Sequence, residues 1–262
     1  MLIRDAVGAL ENIAPLAHAE AWDNVGLLVG DPGRALRRVL VCVDLTPVVW
    51  AEACEAHAEL VVCYHPPIFS GLKRIAHGSV VAEAIRHDVA LYSPHTALDV
   101  ARGGTNDVLA DAAGLGPARR CLRPSKAGRS ESDPALGMGR IGDIEPTPRA
   151  EIVRRLKAGL TLDHALVAGP LEGEARSVAV CAGAAGELVS VAAAEGADVL
   201  VTGEVRHHDA LALAREGRTV IALLHSNSER AAMTPLAERL AAALEGVRVT
   251  TSREDRDPFS VA

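Results

Sequence analysis

Aromatic side chains are scarce, at 2 % of a 262-residue chain. A stacking platform for single-stranded nucleic acid needs several of them, so that class is disfavoured. Positive charge is also short. The formal net charge is −7, opposite in sign to that of a phosphate-backbone binder, and no nucleic-acid partner is expected. Lysine occurs only at Lys73, Lys126 and Lys157, so 24 of the 27 basic residues are arginine; that pattern points to codon usage rather than to function. The cysteines are five, an odd number, and no two are spaced CxxC. A disulfide framework or a zinc ribbon is therefore not expected, and a reducing compartment fits. No run of about 18 uncharged apolar residues occurs, so no membrane span is expected. The first residues carry Asp5 and Glu11 and do not read as a signal peptide. The expectation is a cytoplasmic protein.

What is present is an ordinary globular balance, 49 % hydrophobic and 23 % charged, with length for one large domain or two small ones. Residues 3–18 read as an amphipathic helix. Short apolar runs bounded by Gly, Asp and Pro read as strands at 27–29, 39–43, 60–63, 89–92, 136–142, 163–168, 178–181, 199–201 and 219–222. Helices are expected at 47–57, 77–87, 104–113, 147–157, 187–195, 206–215 and 228–244. Strands alternating with helices at this spacing predict βαβ units in a parallel or mixed sheet. Residues 116–135 hold little periodicity and read as a crossing loop, with its positive charges as solvated surface. The expected division is a first α/β lobe over 1–115, the crossing over 116–135, a second α/β lobe over 136–262, and a polar tail from 250.

An internal repeat sharpens this division. Val39-Leu-Val-Cys42 aligns with Val178-Ala-Val-Cys181, and the same offset of 139 residues carries Ala58-Glu-Leu-Val-Val-Cys63 onto Ala197-Asp-Val-Leu-Val-Thr202. At an offset of 130, His95-Thr-Ala-Leu-Asp99 falls on His225-Ser-Asn-Ser-Glu229. Both read His-x-x-x-carboxylate after an apolar strand. An Ala/Val-rich chain makes any two βα units look alike, which is the competing explanation. Read as a repeat, the chain is two similar α/β lobes related by an approximate two-fold. Its site then lies in the crevice between them, beyond the carboxyl ends of the strands.

His65, Asp99, His225 and Glu229 all sit just past predicted strands. Imidazole and carboxylate donors together suit zinc, manganese, iron or nickel. If 225–229 opens a helix, His225 and Glu229 share a face and reach one ion, or a pair about 3.5–4 Å apart. Such a site lowers the pKa of a bound water toward neutrality. Each residue has a plainer reading taken alone: His65 satisfying a loop carbonyl, Asp99 as an N-cap or Asx-turn residue, Glu229 as a solvated helix residue. Gly183-Ala-Ala-Gly186 is a weak anion cradle. Other chemistries fare worse. No GxGxxG follows a strand, and neither GxxxxGK[ST] nor GxSxG is present. Cys63 and His65 are too awkwardly placed for a nucleophile and base.

Five segments carry a family resemblance. They are Ala21-Trp-Asp-Asn-Val-Gly-Leu-Leu-Val-Gly30, Leu60-Val-Val-Cys-Tyr-His-Pro-Pro-Ile-Phe69, Ser93-Pro-His-Thr-Ala-Leu-Asp-Val-Ala101, Val201-Thr-Gly-Glu-Val-Arg-His-His-Asp-Ala210 and Leu224-His-Ser-Asn-Ser-Glu229. In order and content the chain resembles the Nif-three-like dinuclear metal-centre hexameric proteins, also called GTP cyclohydrolase I type 2 homologues. The resemblance implies His65, Asp99, His225 and Glu229 as metal ligands, with Glu229 bridging. It implies one or two divalent ions per chain and a homo-oligomer, a toroidal hexamer built as a trimer of dimers. One position departs from the pattern. The family's loop has two adjacent histidines, and the first of them is Tyr64 here. A neutral phenol is a poor ligand, with a reference pKa of about 10. The second ion would then be held by fewer protein ligands, held by a phenolate, or absent.

Two functions follow as expectations. One is a metal-dependent hydrolase of a small nucleotide-like or phosphorylated substrate, with His95 and His208 as proton donors or substrate contacts and Arg206 near a phosphate. The other is a non-catalytic metal-binding scaffold or metal-handling protein.

Overall fold

Ile3, Ala6, Leu10 and Ile13 recur at helical spacing and are all buried, which sets the inner stripe of α1 (Ile3–Ile13). The helix is shorter than its pattern suggests. Pro15 stands at the start of a separate 3₁₀ turn, Leu16–His18, because its ring cannot continue the α1 hydrogen bonds. The computed structural model describes residues 1–125 and 133–260. After α1 the chain forms β1 (Gly26–Val29), β2 (Arg38–Cys42), α2 (Pro47–Glu55), β3 (Leu60–Cys63), α3 (Val80–His87), β4 (Ala90–Ser93) and a six-residue helix α4 (His95–Val100). It continues through α5 (Thr105–Ala113), β5 (Arg123–Pro124), β6 (Gly137–Met138), β7 (Arg140–Pro148), α6 (Arg149–Gly159), β8 (Leu166–Ala168), β9 (Glu174–Ala184), α7 (Leu188–Ala194), β10 (Val199–Glu204), α8 (His207–Arg215) and β11 (Thr219–Ala222). Two 3₁₀ turns, Ser226–Ser228 and Arg230–Ala232, lead to α9 (Met233–Ala243) and β12 (Arg248–Thr251). Helix starts follow local chemistry. Thr46 caps α2 by accepting from the Val49 amide at 3.3 Å, with Pro47 in the first turn, and Ser79 caps α3 through the Ala82 amide at 3.3 Å.

Two compact units result, Met1–Ala101 with Met233–Pro258, and Arg102–Ala232 with the chain end from Phe259. This division differs from the expected one at 115 and 136. Helix α5 joins the second unit, because Leu109, Ala110 and Ala113 pack into one core with Ile152, Leu156 and Val178. Helix α9 and strand β12 join the first, α9 against α1 and β12 against β2. The expected crossing loop lies partly outside the described residues; its flanks pair as β5 with β6. Within it, Arg119 and Arg120 are ion-paired, while Lys126 and Arg129 lie outside the described residues. Arg119 reaches Asp107 at 2.9 Å with 14 % of its side chain exposed, and Arg120 reaches Glu195 at 2.7 Å.

The first unit holds a five-stranded sheet in the order β1-β4-β3-β2-β12. Strands β2, β3, β4 and β12 are parallel and β1 is antiparallel. The run Leu60-Val-Val-Cys63 is buried throughout, as expected of a central parallel strand. Strand β12 was expected as polar tail, and it is the sheet's edge. The second unit holds the order β7-β9-β10-β11-β8, with β9, β10 and β11 parallel and both outer strands antiparallel. Its strands feed two cores by strict alternation. Val178, Val180, Val199 and Val201 face α5 and α6 residues, whereas Ala179, Cys181, Leu200 and Val220 face α7 and α8 residues. No helix among the described residues is long and apolar enough to cross a membrane. None of the five cysteines forms a disulfide among the described residues.

Candidate metal centre

In the first unit the parallel pairing of β2 and β3 runs two residues past the strands. The Tyr64 amide donates to Cys42 O at 2.8 Å and the His65 amide to Val43 O at 3.0 Å. This fixes both residues at the carboxyl end of the sheet. The Ser93 hydroxyl donates to Tyr64 O at 2.7 Å, so the end of β4 holds the same loop. His65 Nδ1 stands 2.9 Å from Asp44 Oδ1. A carboxylate only accepts, so Nδ1 donates to Asp44 and Nε2 is the ring nitrogen turned away from it, the usual arrangement behind a ligating imidazole. Asp44 is itself placed from the far end of the chain, since the Asp255 carboxylate accepts from the Val43 and Asp44 amides at 2.6 and 3.4 Å.

Asp99 lies inside helix α4, which runs from His95 to Val100. Asp99 is therefore not a cap. It is buried, 5 % exposed, and its Oδ1 accepts from the Tyr64 hydroxyl at 2.6 Å. His95 opens α4 with φ +26°, a backbone region that non-glycine residues enter at a cost of order 1–3 kcal/mol and mostly at functional sites. Its Nδ1 lies 2.7 Å from Asp23 Oδ1. Asp23 also accepts from the Thr96 amide and hydroxyl. Burial pushes the Asp23 carboxyl up, but the hydrogen bonds from His95 and Thr96 outweigh it and hold the group below the usual carboxylate range. The rings of Tyr64, His65 and His95 converge, with centroids 5.0 to 5.6 Å apart.

In the second unit β11 ends at Ala222, and Leu224 takes φ +71°, which aims the next residue, His225. The stretch 226–228 is a 3₁₀ turn rather than the α-helix the spacing suggested. His225 and Glu229 face each other all the same, with Nε2 to Oε1 at 3.3 Å. His225 Nδ1 lies 3.4 Å from Glu204 Oε1. Glu229 is not the solvated residue it reads as in isolation; it is 2 % exposed. Two donors bound at about 2.0–2.1 Å to one tetrahedral ion stand about 3.3–3.4 Å apart, so the His225–Glu229 spacing and the N/O donor set fit a divalent metal.

Two glycines make room for this pair, and sequence reasoning missed their role. A Cβ on Gly183 would stand 2.6 Å from Glu229 Oε1 and 3.3 Å from His225 Nε2, and one on Gly203 would stand 2.9 Å from His225 Cα. Ser228 closes the arrangement. Its hydroxyl accepts from the Gly183 amide at 2.8 Å and donates to His225 O at 2.7 Å. Gly183 had been read only as part of a weak anion cradle, and β9 instead extends to Ala184.

A profile described as Duf34/NIF3 (NGG1p interacting factor 3) matches residues 1–258. The chain belongs to the Duf34/NIF3 family. Among Duf34/NIF3 relatives, the Drosophila melanogaster protein named NIF3-like protein 1 is 38 % identical over 263 aligned positions, covering 97 % of this chain and 87 % of that one. A Clostridium perfringens protein named GTP cyclohydrolase 1 type 2 homolog is 29 % identical and covers 99 % of both chains. A solved Bacillus cereus structure, of a protein related to NIF3, matches with a TM-score of 0.87 at 23 % identity, covering 100 % of this chain and 99 % of that one. That likeness shows the fold.

The five segments that carry the resemblance thus acquire physical roles. Asp23 of Ala21–Gly30 orients His95 and Thr96, and Asn24 Nδ2 donates to Ile68 O at 2.5 Å, tying that motif to the Tyr64–Phe69 loop. Gly203 and Glu204 of the fourth motif stand beside His225. His208 is exposed in the first turn of α8, against His207 with centroids 5.3 Å apart. Arg206 is exposed in an ion pair with Asp209 at 2.7 Å. Neither shows a site role.

Proposed function

We propose that the protein binds divalent metal through His65, Asp99, His225 and Glu229, and acts as a metal-dependent hydrolase on a small nucleotide-like or phosphorylated substrate. The observation that carries this reading is the His225–Glu229 pair. A buried carboxylate stands 3.3 Å from an imidazole nitrogen, and the opposite ring nitrogen faces a second carboxylate, Glu204. His65 repeats the pattern with Asp44. A bound divalent ion supplies Lewis acidity and a water acidified toward neutral pH. The protein's part is orientation. Asp44 and Glu204 set the two imidazoles, and Tyr64 sets Asp99. His95, held by Asp23, offers its other ring nitrogen for proton exchange with substrate.

The two sheets support reading the units as copies of one ancestral unit. The runs β2-β3-β4-β1 and β9-β10-β11-β8 each pass through three parallel strands to an antiparallel edge, while the opposite edges differ, β12 being parallel and β7 antiparallel. Val39 pairs with Leu60 in the first, and Val178 with Val199 in the second, so the offset of 139 holds for both partners. A hexamer built as a trimer of dimers belongs to the same proposal, and sedimentation velocity measures it.

The test is elemental mass spectrometry on protein purified without chelating resin, followed by a panel of phosphoesters, nucleotides and cyclic amides. One or two ions per chain are expected, lost together with turnover in His225→Ala and Glu229→Gln. No metal above trace after reconstitution with zinc, manganese, iron or nickel overturns the proposal. Metal without turnover on any substrate favours the non-catalytic, metal-handling alternative.

A further inference from the structure

The chain has only two Trp, two Tyr and two Phe, and most of them are accounted for. Trp50, Tyr64 and Tyr92 are buried in the first unit, and Phe259 lies near the chain end. Trp22 and Phe69 are different. They are 59 % and 54 % exposed, yet they touch, with centroids 5.9 Å apart and planes tilted by 49°. They come from separate loops held to each other by the hydrogen bond from Asn24 to Ile68. His95 meets both edge-on, at 6.1 Å from Trp22 and 6.4 Å from Phe69. His95 in turn lies 5.6 Å from His65. The two aromatic faces meet at 49° and stand half in water, so one offers stacking area to a flat ring while the other walls that ring's edge. A neighbouring imidazole with its other nitrogen free of Asp23 adds a polar edge.

We infer that Trp22 and Phe69 form a wall that stacks a flat heteroaromatic ring, a nucleobase or a ring of its kind, and so determine which substrates reach His95. The inference deepens the proposed function and rests on it for the chemistry next door, but ring binding itself needs no metal. The test is a titration of the full chain, 15N-labelled at tryptophan, with guanosine monophosphate, cytidine monophosphate and ribose 5-phosphate. There are two indole resonances, and Trp22→Leu assigns them by deletion. The nucleotides are expected to shift the Trp22 resonance and leave that of buried Trp50 in place, whereas ribose 5-phosphate moves neither. Trp22→Leu and Phe69→Leu are each expected to weaken nucleotide binding about tenfold, the scale of one stacked base, with unchanged circular dichroism. The titration is repeated on metal-free His225→Ala. Ring binding retained there keeps the wall even if the metal reading fails. Equal binding of nucleotides and ribose 5-phosphate, or unchanged affinity in both leucine variants, overturns the inference. So does a Trp22 resonance that moves with protein concentration alone, which makes the wall a contact between copies of this chain.

Discussion

The Tyr64 hydroxyl donates to Asp99 Oδ1 at 2.6 Å, and both side chains are buried. The phenol that stands where the family resemblance leads one to expect a histidine is therefore engaged with a proposed ligand. Its donated proton holds the carboxylate in one orientation. Removing that donor while keeping the ring should weaken metal binding about tenfold, the low end of the range for outer-shell partners. Tyr64→Phe measured by competitive chelator titration checks this. Tyr64→His should instead raise the metal content by one ion per chain. An unchanged content in Tyr64→His would mean that the pocket no longer accommodates a second ion.

The two glycines beside His225 should behave differently. An alanine at Gly183 meets the far end of the Glu229 side chain, which can swing aside. Gly183 itself has φ +65°, a left-handed conformation that strains any other residue, so Gly183→Ala is expected to cost about 1–2 kcal/mol of stability and to lose metal. At Gly203 the nearest atoms include Gly183 O at 2.7 Å and His225 Cα at 2.9 Å. Backbone yields less readily, so Gly203→Ala should cost about 1–3 kcal/mol of stability as well. Urea unfolding of the metal-free variants separates the two effects.

Arg140 is fully buried in the second unit. It donates to Asp107 at 2.8 Å and to the Gly137 and Gly139 carbonyls at 2.6 and 2.8 Å. Burial alone would raise the Asp107 carboxyl, but Arg140 and the Gly103 amide hold it below the usual range. A folded-state pKa below the unfolded value of about 3.9 means a contribution present above about pH 4. It is lost as pH falls through the depressed value. Urea midpoints should therefore drop steeply below about pH 4 in the wild type and less steeply in Asp107→Asn. Asp107→Ala, which strands the guanidinium, should cost about 3–5 kcal/mol at pH 7.

The Tyr92 hydroxyl in β4 is buried with no hydrogen-bond partner among the described residues, and burial pushes its pKa up. An unsatisfied buried hydroxyl costs about 1–3 kcal/mol. Tyr92→Phe should leave stability unchanged or raise it by about 1 kcal/mol, read as a higher melting temperature. A loss of stability would show that the hydroxyl has a partner, such as a bound water.

Much of this was legible from the chain because burial imposes period. The runs at Leu60–Cys63 and Val178–Cys181 read as inner strands, and a separate offset of 130 set His95 against His225, each just past an apolar strand. What the sequence hid is long-range. Asp44 looks like any turn residue until it faces His65. Asp255 lies more than 200 positions from the amides that it accepts. Gly183 matters because a buried carboxylate from another segment occupies the space of its missing Cβ. Strand β12, Arg-Val-Thr-Thr, reads as polar tail because it lies on the sheet's edge, where one side of every residue meets water. Helix α4 was missed because it is six residues long and starts from a strained His95.

Strand β12 also sets an order of events. The second unit is one continuous run of chain apart from the end, whereas the first needs residues 233–258, which are synthesised after that run. On the ribosome, β2 must keep one edge without its neighbour while the intervening residues emerge. At roughly 5–20 residues per second that interval is on the order of ten seconds. The first sheet is thus completed only after every strand of the second unit has been made.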